Sequence, residues 1–335
     1  MTQPTAAILD AEGVRLTPAE KAFFRDVNPF GFILFARNIE TPDQTRALCD
    51  ELRATVGRDA LITVDQEGGR VQRLRRPHWR DWTPPLDFVR ACGDHAARAM
   101  YLRSLLMAAE LRAVGIDSNC APTCDLMRPE THPFLQNRCY GDTVQTVVDM
   151  ARATAQGLLD GGVLPVMKHM PGHGRAQVDS HKGLPHVDAP PANLKDSDFA
   201  VFKALRDLPI GMTAHIVFDQ LDAQPATTSE VMMRLIRQDI GFDGLMMTDD
   251  ISMNALTGTP GERAQAARTA GCDLILFCNA SLGERMQVAE ASGEMDTEGL
   301  RRAARALAMR RAPGQIDIAP LEEELAALSN GAAYV

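Results

Sequence analysis

The densest group of side chains capable of acid–base chemistry follows a short apolar run at residues 163–167. Its members are Lys168, His169, His173, Asp179 and His181, which fall within fourteen residues. Charged lysine and carboxylate groups form strong hydrogen bonds with polar ligands, and histidine titrates near neutral pH. One such residue alone would be an ordinary polar loop residue. The cluster as a whole indicates the centre of an active site.

Proline and glycine determine the path of the chain after this run. Pro171, Gly172 and Gly174 argue against a helix that begins here, because their backbone angles suit a loop. The apolar run therefore predicts a buried strand of a parallel sheet, with Lys168 and His169 at its C-terminal end. The loop extends to about Asn193, which is longer than usual, so we expect an active-site lid.

Two histidines in this stretch have the spacing of a helical metal-binding pair. They are His169 and His173, four residues apart. Pro171 and Gly172 between them break the helix that would bring both imidazoles to one face. We therefore expect no metal ion at this site.

Eight apolar runs alternate with helical patterns along the chain. The predicted strands cover residues 6–9, 31–35, 61–64, 116–123, 163–167, 210–216, 244–248 and 273–277. This alternation predicts an α/β fold, a (β/α)8 TIM-like barrel, and the lack of a flexible linker predicts a single domain over residues 1–335. A doubly wound sheet has the same local pattern, but no Gly-x-Gly-x-x-Gly motif follows the first strand, so we rank it second.

Polar candidates follow these strands at the end where barrels place their active sites. They are Asp65, Asp125, Lys168, His169, His215, Asp249 and Asn279. Asp249 and Asp250 are adjacent at the seventh strand, so one carboxylate can enter the barrel mouth while the other points away. The first is a candidate nucleophile for glycosyl transfer. Asp179 and His181 form a candidate proton donor, in which the carboxylate polarises the imidazole.

The composition excludes several functional classes. The chain has 335 residues, 45% of them hydrophobic, and a net charge of −9, which argues for a large core and against a nucleic-acid-binding surface. Its seven scattered cysteines show no disulfide framework. We find no signal peptide and no apolar stretch of about twenty residues. We therefore expect a cytoplasmic protein that binds neither nucleic acid nor membrane.

Four motifs together resemble glycoside hydrolase family 3, in its compact bacterial β-N-acetylhexosaminidase branch of peptidoglycan recycling. They are Val64-Asp-Gln-Glu-Gly-Gly-Arg-Val-Gln-Arg73, Lys168-His-Met-Pro-Gly-His-Gly174 with Asp179-Ser-His181, Thr213-Ala-His215, and Thr248-Asp-Asp-Ile-Ser-Met253. The resemblance covers most of the chain. Met170 and Thr248 stand where the family usually has Phe and Ser, and neither change alters an ionisable residue.

The resemblance implies a role for each candidate residue. Asp249 is the expected nucleophile, and His181 is the expected general acid/base, assisted by Asp179. The residues expected to hold the hydroxyls of a terminal N-acetylglucosamine are Asp65, Arg73, Arg138, Lys168 and His169, and His173 is expected to shape the loop. The implied substrate is N-acetylglucosamine β-1,4-linked to anhydro-N-acetylmuramic acid, with or without peptide, cleaved with retention of configuration. We expect a monomer that uses no metal or cofactor.

Other functions stay open from the sequence alone. Within the same fold these are a β-glucosidase, a xylosidase or an N-acetylglucosaminide phosphorylase. Outside the family they are a metallohydrolase, and a sugar-binding protein without catalysis. Preference for a nitrophenyl glucoside over the N-acetylglucosaminide would contradict the predicted substrate, and release of sugar phosphate faster than hydrolysis would indicate the phosphorylase.

Overall fold

Eight parallel strands form the predicted (β/α)8 barrel. The structure is a computed structural model that describes residues 3–180, 182–312 and 316–335. The strands are β1 (Thr5–Asp10), β2 (Pro29–Leu34), β3 (Leu61–Val64), β4 (Ser118–Asn119), β5 (Leu164–Met170), β6 (Ile210–Thr213), β7 (Leu245–Met247) and β8 (Ile275–Phe277). Each strand from β1 to β6 pairs with the next along the chain, and β8 pairs with β1. A parallel bridge between Met247 and Leu274 joins β7 to the start of β8. The predicted fold is confirmed.

Helices separate the successive strands. In the described part of the chain they are α1 (Pro18–Val27), α2 (Pro42–Val56), α3 (Pro85–Cys92), α4 (Ala96–Ala113), α5 (Pro133–Gln136), α6 (Val144–Asp160), α7 (Pro191–Lys195), α8 (Asp198–Ala204), α9 (Glu230–Arg234), α10 (Pro260–Ala270), α11 (Leu282–Ser292), α12 (Thr297–Ala308) and α13 (Ile318–Leu328). A π-helical turn at Leu235–Ile240 continues α9, and short 3-10 turns occupy Ala36–Asn38, Gly93–His95 and Ala226–Thr228. None of the described helices is long and apolar enough to cross a membrane.

The helix starts follow directly from side-chain chemistry. Thr17 accepts the backbone N–H of Glu20, and the Glu20 carboxylate accepts the N–H of Thr17, so the two residues form the capping box of α1. Thr41 caps α2 in the same way through the N–H of Gln44. These caps satisfy backbone donors that the first helical turn leaves without partners.

Both faces of the barrel strands are buried, as expected for a parallel sheet. Along β1, Ala6 and Ile8 belong to the cluster that fills the barrel interior. Ala7 and Leu9 belong to the second cluster, which packs the strands against the helices. This burial explains why the strands are continuous apolar runs without alternation.

Three predicted elements differ from the structure. The fourth strand is only two residues long, and beyond it Thr123 forms an isolated parallel bridge with Lys168 of β5. The helical spacing of apolar residues from about Asp87 to Val114 predicts one long helix, but the structure has two, divided at Gly93, whose φ is +51°. The fifth strand continues through Lys168 and His169 to Met170, three residues beyond its predicted end at Met167.

Two small additional sheets extend the C-terminal ends of the barrel strands. An antiparallel hairpin pairs Gln66–Gly68 with Val71–Gln72. A parallel pair joins His186–Val187 to Val217–Phe218. The first lies directly after β3, so it carries polar side chains at the mouth of the barrel.

Candidate active site

A polar cleft lies at the C-terminal ends of the barrel strands. Its volume is about 480 Å³. Of the eight predicted site residues, seven line it, namely Asp65, Arg73, Arg138, Lys168, His169, Asp179 and Asp249. The eighth, His181, lies outside the described residues. The barrel therefore brings together residues that are up to 184 positions apart in the sequence, between Asp65 and Asp249.

A network of buried ion pairs forms one wall of the cleft. The ammonium nitrogen of Lys168 lies 2.9 Å from Oδ1 of Asp65 and 2.7 Å from Oε1 of Glu67. Arg138 donates to both oxygens of Glu67, at 2.8 and 2.9 Å, and Arg73 donates to Oδ2 of Asp65 at 3.1 Å. Three cations and two carboxylates are thus held in fixed positions around the space available to a ligand.

The network keeps its members ionised despite their burial. Burial alone would raise the pKa of Asp65, but the charges of Lys168 and Arg73 outweigh it and hold that pKa below its ordinary value. Burial would likewise raise the pKa of Glu67, yet Arg138 and Lys168 lower it to about 2. Burial would lower the pKa of Lys168, and the two carboxylates raise it instead. The wall therefore stays charged at neutral pH.

Glu67 is the member that the sequence analysis did not single out. It lies in the hairpin that follows β3, and its carboxylate is almost fully buried. Arg103 of α4 holds this hairpin from behind, since it donates to the backbone oxygens of Glu67 at 2.8 Å and of Thr83 at 2.7 Å. The guanidinium also lies over the rings of Trp82 and Phe88. Met100 and Leu106 lie three positions before and after Arg103 and are buried, so an arginine on this apolar face of α4 was the available signal.

A buried carboxylate orients His169. Oδ2 of Asp125 lies 2.6 Å from Nδ1 of His169, and Oδ1 accepts the backbone N–H of His173 at 2.7 Å. Burial would raise the pKa of Asp125, and the imidazole of His169 lowers it. Because the carboxylate only accepts, Nδ1 carries a proton, and Nε2 is directed towards Arg138, at 3.5 Å from its guanidinium. Asp125 thus fixes the face that His169 presents to the cleft.

The two aspartates after β7 both line the cleft, whereas the sequence predicted that one of them would point away, and their surroundings differ. Asp249 lines the cleft and accepts the backbone N–H of Asp250 at 2.8 Å. Burial would raise its pKa, but His169 and His215 bring it below the ordinary value. Asp250 is held by the N–H of Ser252 at 3.0 Å and its hydroxyl at 2.7 Å, and burial raises its pKa. Asp249 is therefore the ionised carboxylate available to a ligand.

His215 supports this corner from behind. Its Nε2 donates to the backbone oxygen of Asp250 at 3.0 Å, and its Nδ1 contacts the hydroxyl of Thr227 at 2.7 Å. The side chain is fully buried, and burial lowers its pKa, so the ring is neutral. His215 therefore holds the backbone next to Asp249 and does not line the cleft.

The loop that follows β5 brings Asp179 to the same cleft. A Cβ on Gly174 would lie 1.9 Å from the backbone oxygen of Leu126, so only glycine fits where the loop begins. Arg175 then pairs with Asp198 at 2.8 Å. Within the described ranges, no group of three or more potential ligands from His, Cys, Asp and Glu is placed to hold a metal ion.

Comparison with known proteins identifies the family of the chain. Residues 7–308 match the family model described as the glycosyl hydrolase family 3 N terminal domain. The chain belongs to glycosyl hydrolase family 3. It is 35% identical to a beta-hexosaminidase of Nitrosospira multiformis over 327 residues, which is 94% of this chain and 91% of that protein. It is 36% identical to a beta-hexosaminidase of Methylobacillus flagellatus over 307 residues, which is 89% of this chain and 87% of that protein.

Solved structures of this family share the fold along almost the whole chain. NagZ from Neisseria gonorrhoeae in complex with N-trifluoroacetyl-D-glucosamine superposes with a TM-score of 0.86 at 28% identity, over 98% of each chain. A family 3 beta-N-acetylglucosaminidase from Paenibacillus superposes with a TM-score of 0.85 at 30% identity, over 97% of this chain and 67% of that one. The predicted family is confirmed.

Proposed function

We propose that the protein is an exo-acting, retaining β-N-acetylglucosaminidase that releases terminal N-acetylglucosamine from muropeptide fragments in the cytoplasm. The expected substrate is N-acetylglucosamine β-1,4-linked to anhydro-N-acetylmuramic acid, with or without a peptide. Membership of family 3 and similarity to beta-hexosaminidases support a β-N-acetylhexosaminidase. The observation that carries the proposal is the position of the ionised Asp249 in one cleft with Asp179 and the charged wall.

In the first chemical step, an Asp249 carboxylate oxygen attacks the anomeric carbon as the bond to the leaving sugar breaks. His181, oriented by Asp179, gives its proton to the departing oxygen. The product is a glycosyl ester of Asp249. In the second step the imidazole takes a proton from water, the water oxygen attacks the same carbon, and the ester bond breaks. Two displacements at one carbon retain its configuration.

The charged wall suits the hydroxyl groups of a pyranose ring. Each hydroxyl both donates and accepts a hydrogen bond. Asp65 offers an acceptor, Lys168 and Arg138 offer donors, and His169 offers the nitrogen that Asp125 leaves directed at the cleft. Hydrogen bonds with charged partners are about twice as strong as neutral ones. This array therefore supports the tight placement of one sugar against Asp249.

The proposal is tested by comparing nitrophenyl N-acetyl-β-glucosaminide with nitrophenyl β-glucoside. We expect the first to be hydrolysed with the higher kcat/KM, and NMR of the reaction to show the β anomer as the first product. Preference for the glucoside, or an α first product, would contradict the proposal. Release of sugar phosphate faster than hydrolysis in phosphate buffer would indicate a phosphorylase.

The role of the acid/base pair is tested separately. The variant His181→Ala should lower kcat by about 10²–10⁴-fold, which is the usual contribution of general acid–base catalysis. The decrease in kcat should be smallest on a nitrophenyl glycoside, because that leaving group needs little protonation. A wild-type rate on the disaccharide would remove His181 from the mechanism.

A further inference from the structure

A row of rings in edge-to-face contact leads from the predicted sugar-binding end of the cleft to its rim. The ring centroids of His169 and His173 are 5.6 Å apart, and those of His173 and Phe134 are 5.7 Å apart. The guanidinium of Arg70 lies over the Phe134 ring, 5.8 Å from its centroid. All four side chains line the cleft. Arg70 is thus two rings further out than His169.

Arg70 is the outermost member of this row, and its charge has no fixed counterion. The other arginines and the lysine that line the cleft pair with carboxylates at 3.1 Å or less: Arg73 with Asp65, and Arg138 and Lys168 with Glu67. Arg70 instead donates to the backbone oxygen of Phe134, and it forms no ion pair within the described part of the chain. Its guanidinium is therefore held in place with unused donors.

A buried polar group in the same row is also available to a ligand. The side chain of His173 is 2% exposed, and neither ring nitrogen has a hydrogen-bond partner among the described residues. Burial lowers the pKa of His173 to about 4, so the ring offers one donor and one acceptor at neutral pH. A buried polar group without a partner is costly, which indicates that a ligand completes this wall.

The leaving group of the substrate must lie on this side of the cleft. Asp179, the predicted partner of the general acid, lines the cleft. Its carboxylate is close enough to Arg70 to stabilise the positive charge of the guanidinium. The sugar-binding cations lie deeper, around Asp65 and Glu67. When the terminal sugar of a substrate that enters from the rim lies at Asp249, the rest of the substrate therefore lies beside Arg70.

We propose that Arg70, held against Phe134, binds a carboxylate on the leaving group and so makes the enzyme selective for anionic aglycones. This inference rests on the proposed function. In a peptide-free fragment the carboxylate is that of the lactyl ether of the anhydromuramic acid. The planar guanidinium suits a carboxylate, with which it forms two parallel hydrogen bonds.

The test compares two disaccharides that differ in one charge. The first is N-acetylglucosamine β-1,4-linked to anhydro-N-acetylmuramic acid, and the second carries the lactyl carboxylate as its methylamide. Wild-type kcat/KM should be higher for the acid. In Arg70→Gln, kcat/KM for the acid should fall about 10- to 100-fold further than for the methylamide, as expected for one lost charge-assisted hydrogen bond. Added salt should reduce the wild-type preference.

Arg76→Gln is the matched control. The Arg76 side chain is 64% exposed and does not line the cleft, so this variant should keep the wild-type preference.

A measurement on wild-type protein avoids any folding defect of the Arg70 variant. Anhydro-N-acetylmuramic acid should inhibit hydrolysis of the nitrophenyl substrate more strongly than its methylamide does.

The outcomes distinguish the two proposals. If wild-type protein hydrolyses neither the disaccharides nor nitrophenyl N-acetyl-β-glucosaminide, the proposed function is wrong, and the role of Arg70 is wrong with it. If wild type hydrolyses them but treats acid and methylamide alike, the role of Arg70 alone is overturned. An equal loss on both disaccharides in Arg70→Gln would also overturn it, because Arg70 would then only position Phe134.

Discussion

Replacing Glu67 with glutamine should weaken both the fold and the binding of the sugar. The Glu67 carboxylate accepts two hydrogen bonds from Arg138, at 2.8 and 2.9 Å, and lies 2.7 Å from the ammonium of Lys168. Glutamine has the same shape but only one acceptor oxygen, and its N–H groups would face a cation. Two buried cations that we assign to substrate binding would therefore lose their shared counterion.

The size of the effect follows from the pKa of Glu67. Burial would raise that pKa, but Arg138 and Lys168 lower it from 4.5 to about 2, which corresponds to about 3 kcal/mol of stability at neutral pH. Removing one partner of a buried ion pair typically costs about 3–5 kcal/mol, which agrees. At an unfolding entropy of about 2 cal/mol/K per residue, a loss of about 3 kcal/mol lowers Tm by about 4 °C in this chain.

The pH dependence has a defined sign. A carboxylate whose pKa is lower in the folded state contributes stability above its unfolded pKa, and this contribution is lost as the pH falls through the folded value. The Tm difference between wild type and Glu67→Gln should therefore be constant above about pH 5. It should shrink as the pH falls from 4.5 towards 2.

The assay is a set of thermal melts across pH, with kinetics on nitrophenyl N-acetyl-β-glucosaminide at neutral pH. We expect KM to rise about tenfold or more, as for the loss of one charge-assisted hydrogen bond. Glu324→Gln is the control: Glu324 pairs with Arg98 through two hydrogen bonds of 2.7 and 2.8 Å, but its side chain is 40% exposed. That variant should melt within about 1 °C of wild type. An unchanged Tm and KM in Glu67→Gln would refute our account of the charged wall.

Two further variants test how the remaining site residues are positioned. In Asp125→Asn, His169 loses the carboxylate that fixes its Nδ1 proton, so kcat/KM should fall about 10- to 100-fold, with a smaller change in Tm than in Glu67→Gln. A wild-type kcat/KM would show that the orientation of His169 does not matter. Gly174→Ala should lower both Tm and kcat, because its Cβ would lie 1.9 Å from the Leu126 backbone oxygen and the loop that carries Asp179 must move. Gly183→Ala is the control for the second variant, since its Cβ would make an ordinary contact of 3.7 Å with Val178, and equal behaviour of the two glycine variants would argue against a fixed loop.

Much of the barrel was predictable because its signals are local. The sequence Thr41-Pro-Asp-Gln44 predicts the start of a helix that runs to about Val56, and α2 spans Pro42–Val56, since Thr41 caps it and Gly57 ends it in a left-handed conformation. The strands are apolar on both faces, so each can be predicted from its own residues without reference to its neighbours. The division of the long helix at Gly93 was not predictable, because one glycine within a helical pattern is often tolerated.

The site was predictable where a residue follows a strand directly. Asp65 and Asp249 follow β3 and β7 closely, Lys168 lies within the last residues of β5, past the predicted end of that strand, and the barrel brings all three to one cleft. Glu67 was not, because its role depends on Arg138, which is 71 residues away in the sequence. Such pairing is a property of the folded chain, and no spacing rule reveals it.

The most direct test of the central claim is to trap the covalent intermediate with a 5-fluoro N-acetylglucosaminyl analogue and to locate the label by peptide mass spectrometry. The account predicts one label per chain, on Asp249, and no label on the Asp249→Asn variant, which should melt as wild type does. A label on Asp250 or Asp65 would contradict it. So would an inverted product with no covalent adduct.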